Sequence, residues 1–423
     1  MSTAINNNRR NPGKSQIYYG WWIVLTVFLL LFLSFAARVC FSIFLKPMSL
    51  DLGWSRALTS SGYSMHMIIY AIGSLSMGAL TDKYGPRAVM SVGTFLMAGG
   101  LLIASATSSI WHLYLTFGLL SGFGMGALYA PGTGTVSKFF IKKRGLALGI
   151  AISGAGIGPF VFLPLIQKLV QVGNWRTGFI VLGMCLLIGG FLPLFILKGK
   201  GLPEDMGLVP DGDGSTKITG DFDREKDLSL GRAMKTKEFW LWLFIYAFTA
   251  LAIDGILLTH LPAHLTDIGF TGKVSAFAAG IVLLTFALGA IFMGLMGDRV
   301  DRRHVLKLSF LLAFLAVFLL MGINKNNHLG LYFVVILIGF TLGAIYPTFI
   351  GLAGDLFGRG AMATISGVGT LGLGIAAFIG SWLGGYFYDT TQSYRPAFWT
   401  VLFCLALAGF LTFFMKKNLH PGD

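Results

Sequence analysis

Long apolar runs, repeated many times over, limit what this chain can become. Segments 19–45, 88–106, 179–197 and 331–350 each approach or exceed the ~20 residues that cross a bilayer core as a helix. Hydrophobic residues make up 55% of the 423 and charged residues 12%, too little charge to cover the surface of a soluble protein of this size. The spacing of loop signals predicts helices over 19–45, 57–81, 88–107, 111–138, 144–171 and 175–198. A second set is predicted over 239–266, 274–297, 304–323, 329–355, 360–387 and 394–416. The fold class is therefore all-α and integral to a membrane, with twelve spanning helices in two bundles of six.

A net charge of +14 invites a nucleic-acid reading, which the placement of the charge excludes. Of the 32 Lys and Arg, seven (Lys46, Arg56, Lys168, Arg176, Lys273, Lys325, Arg395) fall on one side of the expected helices and Arg38 lies within one. The other 24 share the opposite side. That asymmetry is the positive-inside pattern and makes the rich side cytoplasmic, with both termini there and the cell (inner) membrane as the expected location. Residues 1–18 are polar and the first apolar run is too long for a signal segment, so it reads as the first spanning helix. Cys40, Cys185 and Cys404 all sit in apolar runs, as buried small hydrophobes rather than a disulfide framework. The expected organisation is a tail at 1–18, a bundle at 19–198, a cytoplasmic linker at 199–238, a second bundle at 239–416 and a tail at 417–423. A short amphipathic helix is expected near 228–237.

The two bundles carry an internal repeat. Gly78-Ala-Leu-Thr-Asp82-Lys83-Tyr-Gly85-Pro86-Arg87 follows the second predicted helix, and Gly294-Leu-Met-Gly-Asp298-Arg299-Val-Asp301-Arg302-Arg303 follows the eighth, 216 residues later. Arg144-Gly145 and Arg359-Gly360 open the fifth and eleventh at an offset of 215. A glycine free to take positive φ and a proline that ends one helix and starts another define a tight turn. Aspartate there can pair with nearby cations and with a neighbouring helix end. Parallel duplication with a binding site between the halves is a known transporter design.

Two charged residues, Arg38 and Asp254, lie well inside predicted helices, each at a cost of roughly 2.5–3.5 kcal/mol if unpartnered. Both precede the repeated glycine by 40 residues, so they occupy equivalent places and are expected to approach each other across the middle. They form either a structural ion pair closing the outer end of a cavity, or an anion-binding cation with a proton-accepting partner. His66, beside Ser64 and Tyr63, is either a bonded interior histidine or a proton or substrate contact. Tyr129 and Tyr346 occupy nearly equivalent repeat positions beside Pro131 and Pro347. His260 and His264 share a helix face, but Pro262 between them and their place near a helix end favour interfacial histidines over a metal site. Clusters such as Gly122-Phe-Gly124-Met-Gly126 and Gly154-Ala-Gly156-Ile-Gly158 lack the strand–turn–helix setting of a nucleotide loop and suit close helix contacts instead.

Taken together, these segments resemble the major facilitator superfamily over essentially the whole chain. The resemblance implies that Gly78, Asp82, Gly85, Arg87, Gly294, Asp298, Arg299 and Arg302 form a cytoplasmic gate. Asp301 stands where the first copy has Gly85, so the second turn is expected to be looser. A narrower resemblance, to monocarboxylate porters and oxalate–formate antiporter-like proteins, rests on Gly20-Trp21-Trp22, on Phe139-Phe140-Ile-Lys142-Lys143-Arg144-Gly145, on the PDGD of 210–213 and on Lys237-Glu238-Phe239-Trp240. It implies a basic residue in the first helix, which Arg38 supplies, and helices 1, 4, 7 and 10 lining the cavity. The acidic and basic pair those porters carry on helix 8 is missing from Ser275–Gly294.

The resulting expectation is a secondary transporter of a small organic anion, especially a monocarboxylate, moving with a proton by alternating access. It has no cofactor, no metal and no nucleic-acid partner, and a monomer in the lipid bilayer is its functional unit. An anion exchanger or exporter of hydrophobic anions is the alternative within transport, and a transporter-like solute sensor is the alternative outside it. No catalytic cluster points to an enzyme.

Overall fold

The computed structural model describes residues 17–198, 202–212 and 228–415, leaving aside the side chains of Arg56, Ala57 and Asp205. Among the described residues, twelve helices long and apolar enough to span a membrane make up the fold. They are α1 (Tyr19–Leu52), α2 (Leu58–Tyr84), α3 (Pro86–Ala104), α4 (Ile110–Phe139), α5 (Arg144–Val172), α6 (Trp175–Ile196), α7 (Lys237–Asp267), α8 (Gly272–Gly297), α9 (Arg302–Leu320), α10 (His328–Phe357), α11 (Met362–Thr391) and α12 (Arg395–Phe414). Helices suit this setting because every backbone group within lipid must be satisfied inside its own segment. Polar caps fix several starts: Ser55 accepts from Leu58 N, Thr236 from Phe239 N, Thr271 from Val274 N and Asn327 from Gly330 N.

Two departures from the sequence expectation matter. The first helix continues past residue 45 to Leu52 and stops at Gly53, which takes the left-handed conformation (φ 66°). The amphipathic segment at 228–237 forms a single turn, Leu230–Ala233, before Thr236 caps α7. Within α4 and α7 the backbone widens into π-helical stretches, Tyr114–Ser121 and Leu251–Leu257, and the second of these carries Asp254. Such widened turns are frequent at functional sites.

Helices α1–α6 and α7–α12 form the two six-helix sets. Across the boundary, α2 packs on α11 and α5 on α8, pairs that the repeat exchanges with one another. The α5–α8 contact is tight because glycine and alanine line it. A Cβ at Gly149 would run into the Ala290 carbonyl, and one at Gly145 into the Gly294 carbonyl. Gly149→Leu is therefore expected to destabilise the protein by about 1–3 kcal/mol, the usual cost of overpacking, seen as a lower thermal midpoint in detergent. An unchanged midpoint would contradict the tight contact.

The two repeated turns reach the same end by different means. Gly85 adopts φ 87° and Pro86 opens α3 directly. In the second copy Asp301 keeps φ −54°, caps α9 by accepting from Arg303 N, and holds the Arg303 guanidinium. The expected loosening is thus corrected: a side-chain cap and an ion pair do the work of a glycine. Hydrogen bonding from Arg303 holds the Asp301 carboxyl down at about 2, below the usual carboxylate range. Its stabilisation is present above the ordinary carboxylate range and is lost as pH falls toward 2. Asp301→Ala is expected to cost about 1 kcal/mol near neutrality. Melting curves of variant and parent should converge on acidification; a constant gap from pH 7 to pH 2 would contradict the cap.

Candidate functional site

Three groups of residues answer to the sequence candidates, and the best defined lies at the end of the bundles next to the linker. There each repeated aspartate reaches into the opposite half. Asp82 accepts Thr364 N at 2.8 Å and Thr364 Oγ1 at 2.6 Å, at the start of α11, and pairs with Lys138 Nζ at 2.7 Å. Asp298 accepts Gly145 N at 2.6 Å and Leu146 N at 2.8 Å, at the start of α5, and receives Arg302 Nη2 at 3.1 Å. Both carboxylates sit where unsatisfied amides and the helix dipole favour negative charge. Burial pushes the Asp298 carboxyl above the usual carboxylate range, opposed by the Leu146 and Gly145 amides and by Arg302. Arg144 Nη1 adds a third cross-link, to Asp355 at 2.8 Å, and Arg302 holds the other oxygen of that carboxylate.

Of the gate residues read from the sequence, the glycines, both aspartates and Arg302 meet here. Gly78 lies against the Ala363 backbone of α11, and Gly294 against Gly145. Arg87 and Arg299 are exposed and take no part in these bonds. Lys138 and Asp355, which the sequence reading passed over, supply the missing charges. They are 217 residues apart, within two residues of the repeat offset, so they occupy nearly equivalent places in the two halves.

The second group occupies the middle of the protein. Asp254 of α7 accepts the Tyr346 hydroxyl from α10. Arg38 of α1 is half-buried, with its guanidinium carbon 4.4 Å from the Phe35 ring centre and its buried Nε without a hydrogen-bond partner among the described residues. Asp254 lies within the electrostatic reach of Arg38, yet no direct ion pair joins them. The two repeat-equivalent charges are not paired with one another. Aromatic side chains from both halves lie nearby. Tyr129 and Tyr70 of the N-terminal half lie within electrostatic range of Tyr246, whose buried hydroxyl has no hydrogen-bond partner among the described residues, and Tyr246 packs on Tyr346 with ring centres 6.0 Å apart. Phe286 of α8 lies 6.0 Å from the Tyr346 ring and Phe35 6.2 Å from that of Tyr129.

Tyr70 and Tyr246 were not singled out from the sequence. A signal for the first exists: Tyr70 and Phe286 each precede the repeated glycine by eight residues, and both are aromatic. Tyr246 has no such mark, since its repeat equivalent is an ordinary leucine, Leu30.

The histidines make up the third group, and His66 and His260 are bonded locally. His66 is fully buried in the N-terminal half, with Nδ1 3.0 Å from the Phe117 carbonyl, Nε2 3.5 Å from the Met125 sulfur and its ring stacked on Phe117. His260 Nε2 lies 3.0 Å from the Ser381 carbonyl, while the His264 ring packs edge-on against Phe398. Both rings pack against Tyr394, and the buried His264 Nε2 has no hydrogen-bond partner among the described residues.

Two duplicated six-helix sets with a charged, phenol-lined centre and crossed aspartate latches define a transporter architecture. The family model of the Major Facilitator Superfamily matches residues 27–283 and 243–422, and the chain belongs to that superfamily. It is 29% identical over 383 residues to monocarboxylate transporter 13 of Bos taurus, covering 90% of this chain and 85% of the relative. Monocarboxylate transporter 12 of Xenopus laevis is 27% identical over 430 residues (95% and 91% covered). The oxalate:formate antiporter of Oxalobacter formigenes is 24% identical over 428 residues (99% and 95%). Among solved structures, the proton:xylose symporter XylE superposes with a TM-score of 0.79 at 13% identity, covering 94% of this chain and 96% of that one. The fucose:proton symporter FucP of E. coli gives 0.71 at 17% identity, covering 93% and 99%. These structural likenesses establish the fold.

Proposed function

We propose that this transporter carries a small organic anion, a monocarboxylate, together with one proton, and that its two halves rock about the α2–α11 and α5–α8 contacts to expose the centre to each side in turn. The carrying observation is Arg38: an interior cation, half-buried, with no carboxylate bound to it among the described residues and Asp254 within its electrostatic reach. A buried, unbalanced charge is costly in low dielectric, so charge balance sets the stoichiometry. The empty site is neutral as Arg38⁺ with Asp254⁻. Adding a carboxylate makes it −1, and one proton on Asp254 returns it to zero. Loaded and empty forms can then both cross, which is electroneutral one-to-one symport. Helix α8 offers no second cation between Ser275 and Gly294, which favours a monocarboxylate over a dicarboxylate held at both ends. The phenols and Phe286 suit a substrate with an apolar or aromatic body.

A second reading, anion exchange, follows if the unloaded form returns slowly; similarity to an antiporter as well as to monocarboxylate transporters keeps it in view. Proteoliposome uptake of radiolabelled carboxylates, with and without an inward proton gradient, separates the two. Gradient-driven accumulation supports symport, and flux that requires internal anion supports exchange. Binding without flux would indicate a sensor. The charge asymmetry favours placing both tails and the 199–238 linker in the cytoplasm, with a monomer as the working unit.

A further inference from the structure

The start of α5 receives a second carboxylate, and it comes from the linker. Asp211 Oδ2 accepts Ile141 N at 2.9 Å and Lys142 N at 2.8 Å, and its Oδ1 accepts Lys143 N at 3.0 Å. Only the Arg144 amide separates these from the two that Asp298 takes, so two acidic side chains share the entry to one helix. Asp211 holds φ 60°, a conformation uncommon outside glycine, and three amide bonds to one carboxylate offset its cost.

Seven residues earlier, Glu204 Oε1 accepts Arg359 Nη2 at 2.8 Å. Arg359 precedes α11 in the C-terminal half, and its Nη1 reaches the Lys138 carbonyl in the N-terminal half at 3.2 Å. Between these anchors Met206 and Leu208 pack against the core, and Leu208 N closes a turn onto Pro203 O at 2.9 Å. The segment 202–212 thus spans from a fixed point on α5 to a charged residue of the other half.

We infer that residues 202–212 are a strap that latches the linker end shut, with Asp211 as its fixed anchor and Glu204 as its releasable hook. Both are positioning residues for the transport cycle. The distinction follows from which half each partner belongs to. Ile141, Lys142 and Lys143 move with α6, from which the strap emerges, so the Asp211 bonds survive opening. Arg359 moves with α11, so its bond to Glu204 breaks each time the halves part. This strap is separate from the repeated aspartate motif. The inference rests on the rocking of the halves proposed above.

Its test reads the gate without substrate. Spin labels at Ala88 and His304, exposed and equivalent positions at the starts of α3 and α9, report the separation of the halves at the linker end, with Cys40, Cys185 and Cys404 replaced. The full chain is measured in lipid nanodiscs. Glu204→Gln is expected to raise the ratio of long to short distances by about twofold to fivefold, the range a partly exposed ion pair supplies. Asp211→Asn should shift it in the same direction, and Glu204→Asp by less. Because both residues hold one strap, the double variant should do little more than the larger single change. An unchanged distribution in Glu204→Gln overturns the inference. So do multiplicative effects in the double variant, or a lowered melting temperature with no change in distances. Failure here leaves gradient-driven uptake intact, whereas failure of the proposed function shows in the uptake assay with the distances still responsive.

Discussion

Arg38→Gln is expected to reduce uptake of a monocarboxylate by at least about a hundredfold, the scale on which losing a charged partner of a buried anion costs roughly 3–5 kcal/mol. Membrane abundance and thermal midpoint should hold, because no ion pair is broken: the guanidinium lies against Phe35 and its Nε has no hydrogen-bond partner among the described residues. Arg38→Lys should recover part of the activity, keeping the charge but losing the planar fork that grips a carboxylate on two points. Full transport by the glutamine variant, measured per unit of inserted protein, would sink the assignment of Arg38 as the anion-binding group. Loss of the folded protein in that variant would instead reveal a structural cation.

Asp254→Asn carries the second large effect, and it is one of kind as well as size. The amide still accepts the Tyr346 hydroxyl, so the packing of α7 on α10 should survive. What goes is the site's ability to change its charge by one. With Arg38 and a neutral partner, the loaded form is balanced and the empty form carries +1. Loaded crossing then remains possible and empty return becomes slow. The variant is expected to lose gradient-driven accumulation by ~100-fold while keeping exchange of labelled for unlabelled anion across a loaded proteoliposome membrane. Accumulation that still follows the proton gradient would show that another group carries the proton. Equal loss of exchange and accumulation would mean that Asp254 is needed for binding.

How much of this was legible beforehand varies with the physics involved. Spans were legible because a bilayer leaves few options: the predicted 144–171 became Arg144–Val172, and 239–266 became Lys237–Asp267. The gate aspartates were legible because the repeat states them twice. What escaped was whatever depends on helix rotation or on one side chain standing in for another. Lys138 rather than Arg87 meets Asp82, since the residue that reaches a carboxylate is set by which helix end lies beneath it. Tyr246 gave no signal, because one phenol among thirteen tyrosines acquires meaning only when α7 turns it toward Tyr129. The π-helical stretch around Asp254 was invisible for the same reason. The repeat-equivalent placement of Arg38 and Asp254 was visible, but the absence of an ion pair between them was not.

The crossed aspartate caps bear on how freely such a machine can run. Their acceptors bind backbone amides at helix ends, groups that water solvates readily once exposed. Breaking them exchanges one set of hydrogen bonds for another, so each contributes only about 1.5–3 kcal/mol net, the range for a charged acceptor. A closure made of interchangeable partners leaves the two conformations close in free energy and easily biased. In the proposed cycle a single carboxylate and a single proton, each worth a few kcal/mol at the centre, are then enough to decide which way the protein faces.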